Sequence, residues 1–329
     1  MTFMATGSIN DDGTGDLGAG QERLAAPQDK PTDRWASNPL LRPAGVAGAK
    51  ALTAQLATSH YENFLVTSVL LPRRIRPAFY DVYAFCRTAD DAADQSPSPR
   101  EAMRRLAMLR GELEAVFDGR PRSALGVALA ETAQRYELRR GPFEDLLSAF
   151  EQDQTVTRYA DDASLLEYCR RSANPVGRIV LRLAGADDDA NLAASDSICT
   201  GLQLINFWQD IARDLAIGRV YVPADRMAAA GVESSNLAAD QASDAVRELT
   251  ASLVDWARGF FTPARSLSDR VPRWLSPTID LFAGGGIATA DAIGRGRFDV
   301  LGRRPTVSRA TQVRLVVRAA AAAAWWRRR

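Results

Sequence analysis

From residue 46 onward apolar residues recur at three- and four-residue intervals, in segments such as 78–94, 100–117, 123–137 and 245–268, and strict alternation is scarce. That period predicts amphipathic helices rather than strands. The breaks carry Pro or Gly: Pro72 and Pro77, Pro97 and Pro99, Gly119 and Pro121, Gly141 and Pro142, Pro175, Gly218 and Pro223, Gly231, Pro272 and Pro277, Gly284 to Gly286, and Pro305. Roughly ten helices joined by short loops follow, with no internal repeat. The expected architecture is one all-α helical bundle over 46–318, large enough for a central cavity between helices. Residues 1–45, rich in Gly, Asp, Thr, Ala and Pro, read as a flexible tail, and 319–329 as a short Ala/Trp/Arg extension. The tail has neither the basic start nor the apolar core of a secretory signal, and no window approaches the ~18 apolar residues of a membrane span.

Two helical segments carry polar stripes. In Tyr83 to Asp94, residues Tyr83, Arg87, Asp90 and Asp94 fall within roughly a 60° arc of one face, with Asp91 beside them. In Leu202 to Asp214, residues Gln203, Asn206, Asp210 and Asp214 share an arc of roughly 80°, bordered by an apolar band of Leu204, Phe207, Trp208, Ile211 and Leu215. Each stripe alone is compatible with a solvated acidic face. Two carboxylates about 6 Å apart repel by roughly 3 kcal/mol at an effective dielectric of about 20, so two facing stripes need cations between them. Mg²⁺ suits such a donor set, because it prefers oxygen ligands and is held by one or two carboxylates plus substrate phosphates. Arg87, Arg171 and Arg213 are candidates for direct phosphate contacts.

Composition narrows the chemistry further. The 41 basic and 40 acidic residues nearly cancel, which argues against nucleic acid as a partner. The only lysines are Lys30 and Lys50, so the folded part offers no Walker A lysine and no Schiff base. The single histidine, His60, excludes HExxH zinc sites and di-iron bundles built on a histidine from each of two helices. Cys86, Cys169 and Cys199 are too few and too scattered for a zinc site or a disulfide framework and suggest buried thiols in a reducing cytosol. Glycosidase chemistry fits poorly without strands, while an all-α Mg²⁺ nucleotide hydrolase and a non-catalytic helical scaffold with acidic faces remain open.

The Tyr83-x-x-x-Arg87-x-x-Asp90-Asp91-x-x-Asp94 and Gln203-x-x-Asn206-x-x-x-Asp210-x-x-x-Asp214 segments, the latter followed by Gly218-Arg219-Val220-Tyr221-Val222-Pro223, resemble the squalene/phytoene synthase family from about His60 to Arg304. The resemblance implies an all-α isoprenoid-synthase fold, with two aspartate-rich helices facing each other across a deep apolar cavity, and Mg²⁺-assisted departure of pyrophosphate from a prenyl diphosphate. It assigns Asp90, Asp94, Asp210 and Asp214 to Mg²⁺ with help from Asn206, and Gln203, Arg87 and Tyr83 to the diphosphate or the reacting allylic region. Tyr168 and Tyr221 would line the tunnel and its mouth, His60 and Asn63 would lie near the diphosphate, and Arg303 or Arg304 would close over it.

Within that family His60-Tyr61-Glu62-Asn63-Phe64, Leu70 to Arg74, Arg170 to Gly177 and Asn206-Phe207-Trp208-Gln209-Asp210 look like the hydroxysqualene synthases of bacterial hopanoid biosynthesis. The implied reaction takes presqualene diphosphate and water to hydroxysqualene and pyrophosphate, with head-to-head condensation of prenyl diphosphates as the alternative. Asn63, Gln209 and Tyr168 are candidates for positioning the water. No nicotinamide cofactor is expected, since Gly284-Gly285-Gly286 and Gly294-Arg295-Gly296 lack a preceding strand and read as loop glycines. Trp325-Trp326 beside Arg327 to Arg329 suits a membrane surface, so the expected location is cytoplasmic, with peripheral association at the inner face of the membrane as a further expectation.

Overall fold

The computed structural model describes residues 35–59 and 70–327. Among them are fourteen α-helices: α1 (Val46–Ser59), α2 (Arg76–Asp94), α3 (Pro99–Phe117), α4 (Ala124–Tyr136), α5 (Gly141–Gln152), α6 (Asp162–Ser172), α7 (Asn174–Ala184), α8 (Asp189–Gln209), α9 (Ile211–Ala216), α10 (Ala224–Ala229), α11 (Asp244–Gly259), α12 (Ala264–Arg270), α13 (Ser276–Arg295) and α14 (Arg309–Arg327). The described residues form no strand; Arg158 and Val220 make one isolated parallel bridge. The helical period therefore predicts the class correctly, and the count exceeds ten because several short helices sit where loops were expected.

Local chemistry sets many of the boundaries. Ser98, Ser123, Asp161, Asp188 and Ser243 each accept a backbone N–H of the first turn, starting α3, α4, α6, α8 and α11. Gly185, at φ +63°, ends α7 in the left-handed conformation that glycine adopts without strain. The expected helix over 245–268 is two helices, because Pro263 removes the donor that would continue the ladder past Gly259.

Four expectations change. Residues 35–45 are part of the packed body: Trp35 is buried with the Arg105 guanidinium over its ring, and Leu40 joins the core. A tryptophan in an otherwise polar stretch is enough to anchor a short segment by area alone. Residues 319–327 are no separate extension, since α14 runs unbroken from Arg309 to Arg327 and buries Ala319 and Ala323 against Leu70 and Leu281. Gly284 to Gly286 lie inside α13, not in a loop. A Cβ on Gly286 would stand 2.4 Å from Phe261 Cζ and one on Gly284 3.0 Å from Leu315 Cδ2, so these two serve close packing while Gly285 faces open space. Last, the second stripe does not ride one helix: α8 stops at Gln209, Asp210 sits outside helical geometry at φ −108° and ψ 15°, and α9 restarts at Ile211.

Helices α2, α7, α8, α12 and α13 surround an apolar cavity lined by residues such as Phe79, Val180, Ile198, Leu202, Leu275 and Phe282, with about 1280 Å³ of empty space including its mouth. No helix among the described residues is long and apolar enough to cross a membrane.

Candidate active site

Both stripes end at the same pole of the bundle. Helix α2 presents Tyr83 and Cys86 to the cavity and carries Asp90 and Asp94 toward its C-terminus; α8 presents Leu202 and Asn206 and leads into Asp210 and Asp214. Asp94 and Asp214 each lie within electrostatic reach of Asp153 and Arg219, so the two acidic walls meet around that pair.

Burial and crowding show in the acidities. Burial, and then Asp210, pushes Asp214 up to about 7. Burial raises Asp153 to about 6, opposed by the Tyr168 hydroxyl and by Arg219. Asp90 is also raised, by burial and by Asp94. Each is a carboxylate whose ionised form the fold tolerates poorly without added positive charge.

The sign of the resulting pH dependence follows. Asp214 and Asp153 have folded values above the unfolded ~3.9, so they hold protons in the folded state that the unfolded chain has released. Their contribution is fully present below about pH 4 and is lost as pH rises through about 6 and about 7. Glu101, lowered to about 2 by Arg104 and Arg105, acts in the opposite sense but only at lower pH. The metal-free protein is expected to melt at a falling temperature between pH 5 and pH 8 by roughly the window these values define, and Asp214→Asn to flatten the trend. A melting temperature that rises over this interval would contradict the assignment.

Most of the arginines expected to reach phosphate are committed elsewhere. Arg87 pairs with Asp91 at 2.6 Å and Asp90 at 3.4 Å on its own helix. Arg171 donates to Gln152 at 2.6 Å and pairs with Glu167 at 3.4 Å. Arg213 points outward, its side chain 68% exposed and 3.8 Å from Asp210. Arg303 is exposed, and the C-terminal arginine that reaches the pole is Arg304, which donates to Asp210 at 2.5 and 2.9 Å and to Gln209 at 3.0 Å. Gln209 also donates to the Pro305 carbonyl at 2.6 Å, so both ends of its amide hold the 299–305 segment rather than a water.

Asn206 and Tyr83 line the cavity, whereas Gln203 is buried within α8. Tyr168 and Tyr221 do not line it. They build an aromatic wall with Tyr159 and Phe207, in which Tyr221 stacks on Phe207 at 3.8 Å and 8° and Tyr168 lies 5.9 Å from Tyr221. The Tyr168 hydroxyl bridges Tyr221 and Asp153. His60 and Asn63 lie outside the described residues. Asp153 and Arg219 are site residues that the stripe argument misses. Arg219 stands in the Gly218-to-Pro223 motif, which offered a signal for it, while Asp153 caps α5 in an unremarkable run and offered none.

The squalene/phytoene synthase family model matches residues 57–311. The chain belongs to that family. Its members are divalent-metal-dependent, diphosphate-binding enzymes of head-to-head prenyl diphosphate condensation. The chain is 39% identical to the crystal structure of squalene synthase HpnC from Alicyclobacillus acidocaldarius, covering 78% of this chain and 97% of that one with a TM-score of 0.74. It is 38% identical over 184 residues to the hydroxysqualene synthase of Sinorhizobium fredii, covering 55% of this chain and 62% of that protein. It is 31% identical over 212 residues to the presqualene diphosphate synthase of Rhodopseudomonas palustris, covering 64% and 76% respectively. A dehydrosqualene synthase structure at 21% identity and TM-score 0.73 shares the fold. The architecture is thus the squalene synthase-like isoprenoid-synthase bundle.

The donor set fits a hard divalent ion. Carboxylates and an amide face the pole, no imidazole joins them among the described residues, and burial, then Asp210, pushes Asp214 up to about 7. Among the described residues no three acidic, His or Cys groups converge into a finished metal cage. Paired carboxylates on two walls instead suit ions completed by phosphate oxygens, as Mg²⁺ prefers.

Proposed function

We propose that this enzyme converts presqualene diphosphate and water to hydroxysqualene and pyrophosphate. The observation that carries the reading is an apolar cavity lined by the same two helices, α2 and α8, that lead into the two pairs of carboxylates. Similarity to hydroxysqualene synthases at 38%, 34% and 35% identity supports the branch.

In this reading Asp90, Asp94, Asp210, Asp214 and Asn206 hold Mg²⁺, which when bound would neutralise charge on the departing pyrophosphate. The chain's own walls do the rest. Phe79, Leu202, Leu275 and Phe282 hold the tails and keep bulk water from the cation left when the carbon–oxygen bond breaks. Tyr83 and Asn206, the polar groups at the cavity's upper end, face the reacting carbons. One water adds to the rearranged cation, and its surplus proton leaves with pyrophosphate. The thiols of half-buried Cys86 and buried Cys199, both pushed up to about 12 by their apolar surroundings, stay protonated and take no part as nucleophiles.

The second reading, head-to-head condensation, is favoured by the presqualene diphosphate synthase relative. Product analysis separates them. Purified protein given presqualene diphosphate and Mg²⁺ is expected to release pyrophosphate and hydroxysqualene in equal amounts. Formation of presqualene diphosphate or phytoene from shorter prenyl diphosphates, with presqualene diphosphate left untouched, would select condensation instead.

A further inference from the structure

Of the half-buried arginines at the acidic pole, Arg219 is the one whose hydrogen-bonding capacity is mostly unspent. Its side chain is half-buried, and it donates a single hydrogen bond, from Nη2 to the Asp153 backbone carbonyl at 3.1 Å. It has no carboxylate within ion-pair distance, although Asp94, Asp153 and Tyr221 surround it more loosely. A guanidinium carries five N–H donors in a rigid fork, so four of them stay open to an anionic ligand at this half-buried place. Arg87, Arg171 and Arg304, by contrast, are each held by protein acceptors.

Position sharpens the point. Arg219 stands where Asp94 from one wall and Asp214 from the other come within electrostatic reach of the same group. Its backbone is fixed on both sides: the Arg219 N–H donates to the Asp214 carbonyl at 2.8 Å, and the next residue's N–H donates to the Thr157 carbonyl at 2.9 Å. Its head is fixed by the α5 cap carbonyl. A side chain tethered at both ends with its fork still open is preorganised, and preorganised donors lose little entropy when an anion arrives. The nearby Asp153 carboxylate, buried with Oδ1 accepting no hydrogen bond, disfavours a bare anion in the pole. A cation is needed there to offset it.

We infer that Arg219 is the direct protein contact for the diphosphate of the substrate and for the pyrophosphate that leaves, anchored for that task by the Asp153 carbonyl. This rests on the prenyl diphosphate reading of the pole, though not on which product forms.

The test is binding of inorganic pyrophosphate, by calorimetry on the full chain with Mg²⁺ present, alongside titration of Mg²⁺ alone and the melting temperature. For Arg219→Gln the expected result is pyrophosphate affinity weakened ~10- to 100-fold, or ~1.4 to 2.8 kcal/mol, with Mg²⁺ alone bound no more weakly. Arg219→Lys keeps the charge without the fork and is expected to lie between the two. Arg265→Gln, on the exposed side of α12, serves as control. Wild-type affinity in Arg219→Gln overturns the inference, as does a loss of Mg²⁺ and pyrophosphate binding in parallel with a fall in melting temperature, which marks a purely structural role. If Arg219→Gln does not fold, equal affinity in Arg219→Lys overturns it. Failure of the wild type to bind pyrophosphate at all removes the prenyl diphosphate reading itself, an outcome distinct from these.

Discussion

Asp90→Asn and Asp210→Asn are each expected to lower turnover by ~10²- to 10³-fold while leaving the fold intact, as read by pyrophosphate release and melting temperature. The size follows from what the carboxylates do in the proposed reaction: they hold the positive charge that stabilises a leaving group carrying several negative charges, and removing one such stabilising group commonly costs ~10²–10³ in rate. The sparing of the fold follows from burial. Burial and Asp94 already raise the pKa of Asp90, so an amide of the same shape removes a charge that the folded state holds reluctantly. Its melting temperature is therefore expected to stay level or rise, the usual relation between stability and a strained functional site. Asp210 differs because Arg304 grips both of its oxygens, at 2.5 and 2.9 Å. Asp210→Asn should loosen the 299–305 strap and melt slightly lower. Activity near wild type in either variant would end the metal-holding role.

Lys50→Ala is expected to destabilise the protein by roughly 3 kcal/mol, the lower end of the cost of breaking a buried ion pair. Asp81 is fully buried in α2 and accepts from Lys50 Nζ at 2.5 Å, Thr53 Oγ1 at 2.7 Å and Thr132 Oγ1 at 2.5 Å, which ties α1, α2 and α4 together. Burial raises the Asp81 pKa, and the Lys50 hydrogen bond is the largest effect opposing it. Removing the ammonium leaves a carboxylate that two hydroxyls cannot compensate. Lys50→Ala with Asp81→Leu should recover most of the loss, because a well-packed apolar pair needs no partner. Urea unfolding measures both, and an unchanged midpoint in Lys50→Ala would show that the pair holds nothing. The sole lysine among the described residues thus works as a structural bolt, whereas the excluded lysine chemistries concerned catalysis.

How far the site could be read in one dimension depends on each residue's kind of evidence. Asp90 and Asp94, four apart, have their helix face set by 3.6 residues per turn, and α2 keeps that face. Asp210 and Asp214 carried the same spacing, yet the helix breaks between them, because spacing reports a shared face only while the backbone stays helical. Gly284 to Gly286 misled for a related reason: glycine is a poor helix former in isolation, and only the approach of Phe261 and Leu202 makes it the residue that fits. Trp35 was lost in a polar tail because composition averages over a window and anchoring is local. Arg303 and Arg304 are adjacent and chemically identical, so nothing before folding distinguishes the one that grips Asp210 from the one in solvent.

The chain by itself determined an all-α body, an oxygen-donor chemistry without catalytic lysine, and two acidic segments destined for one function. These are properties of residue type and period, which are local. Only the tertiary structure decided which of the other cations stay available for an anion: it ties Arg171 to Gln152 and Arg304 to Asp210, and holds Arg219 between the walls beside Asp153. Ion pairing and burial are set by partners distant in sequence, 66 residues apart for Arg219 and Asp153, and no period along the chain encodes them.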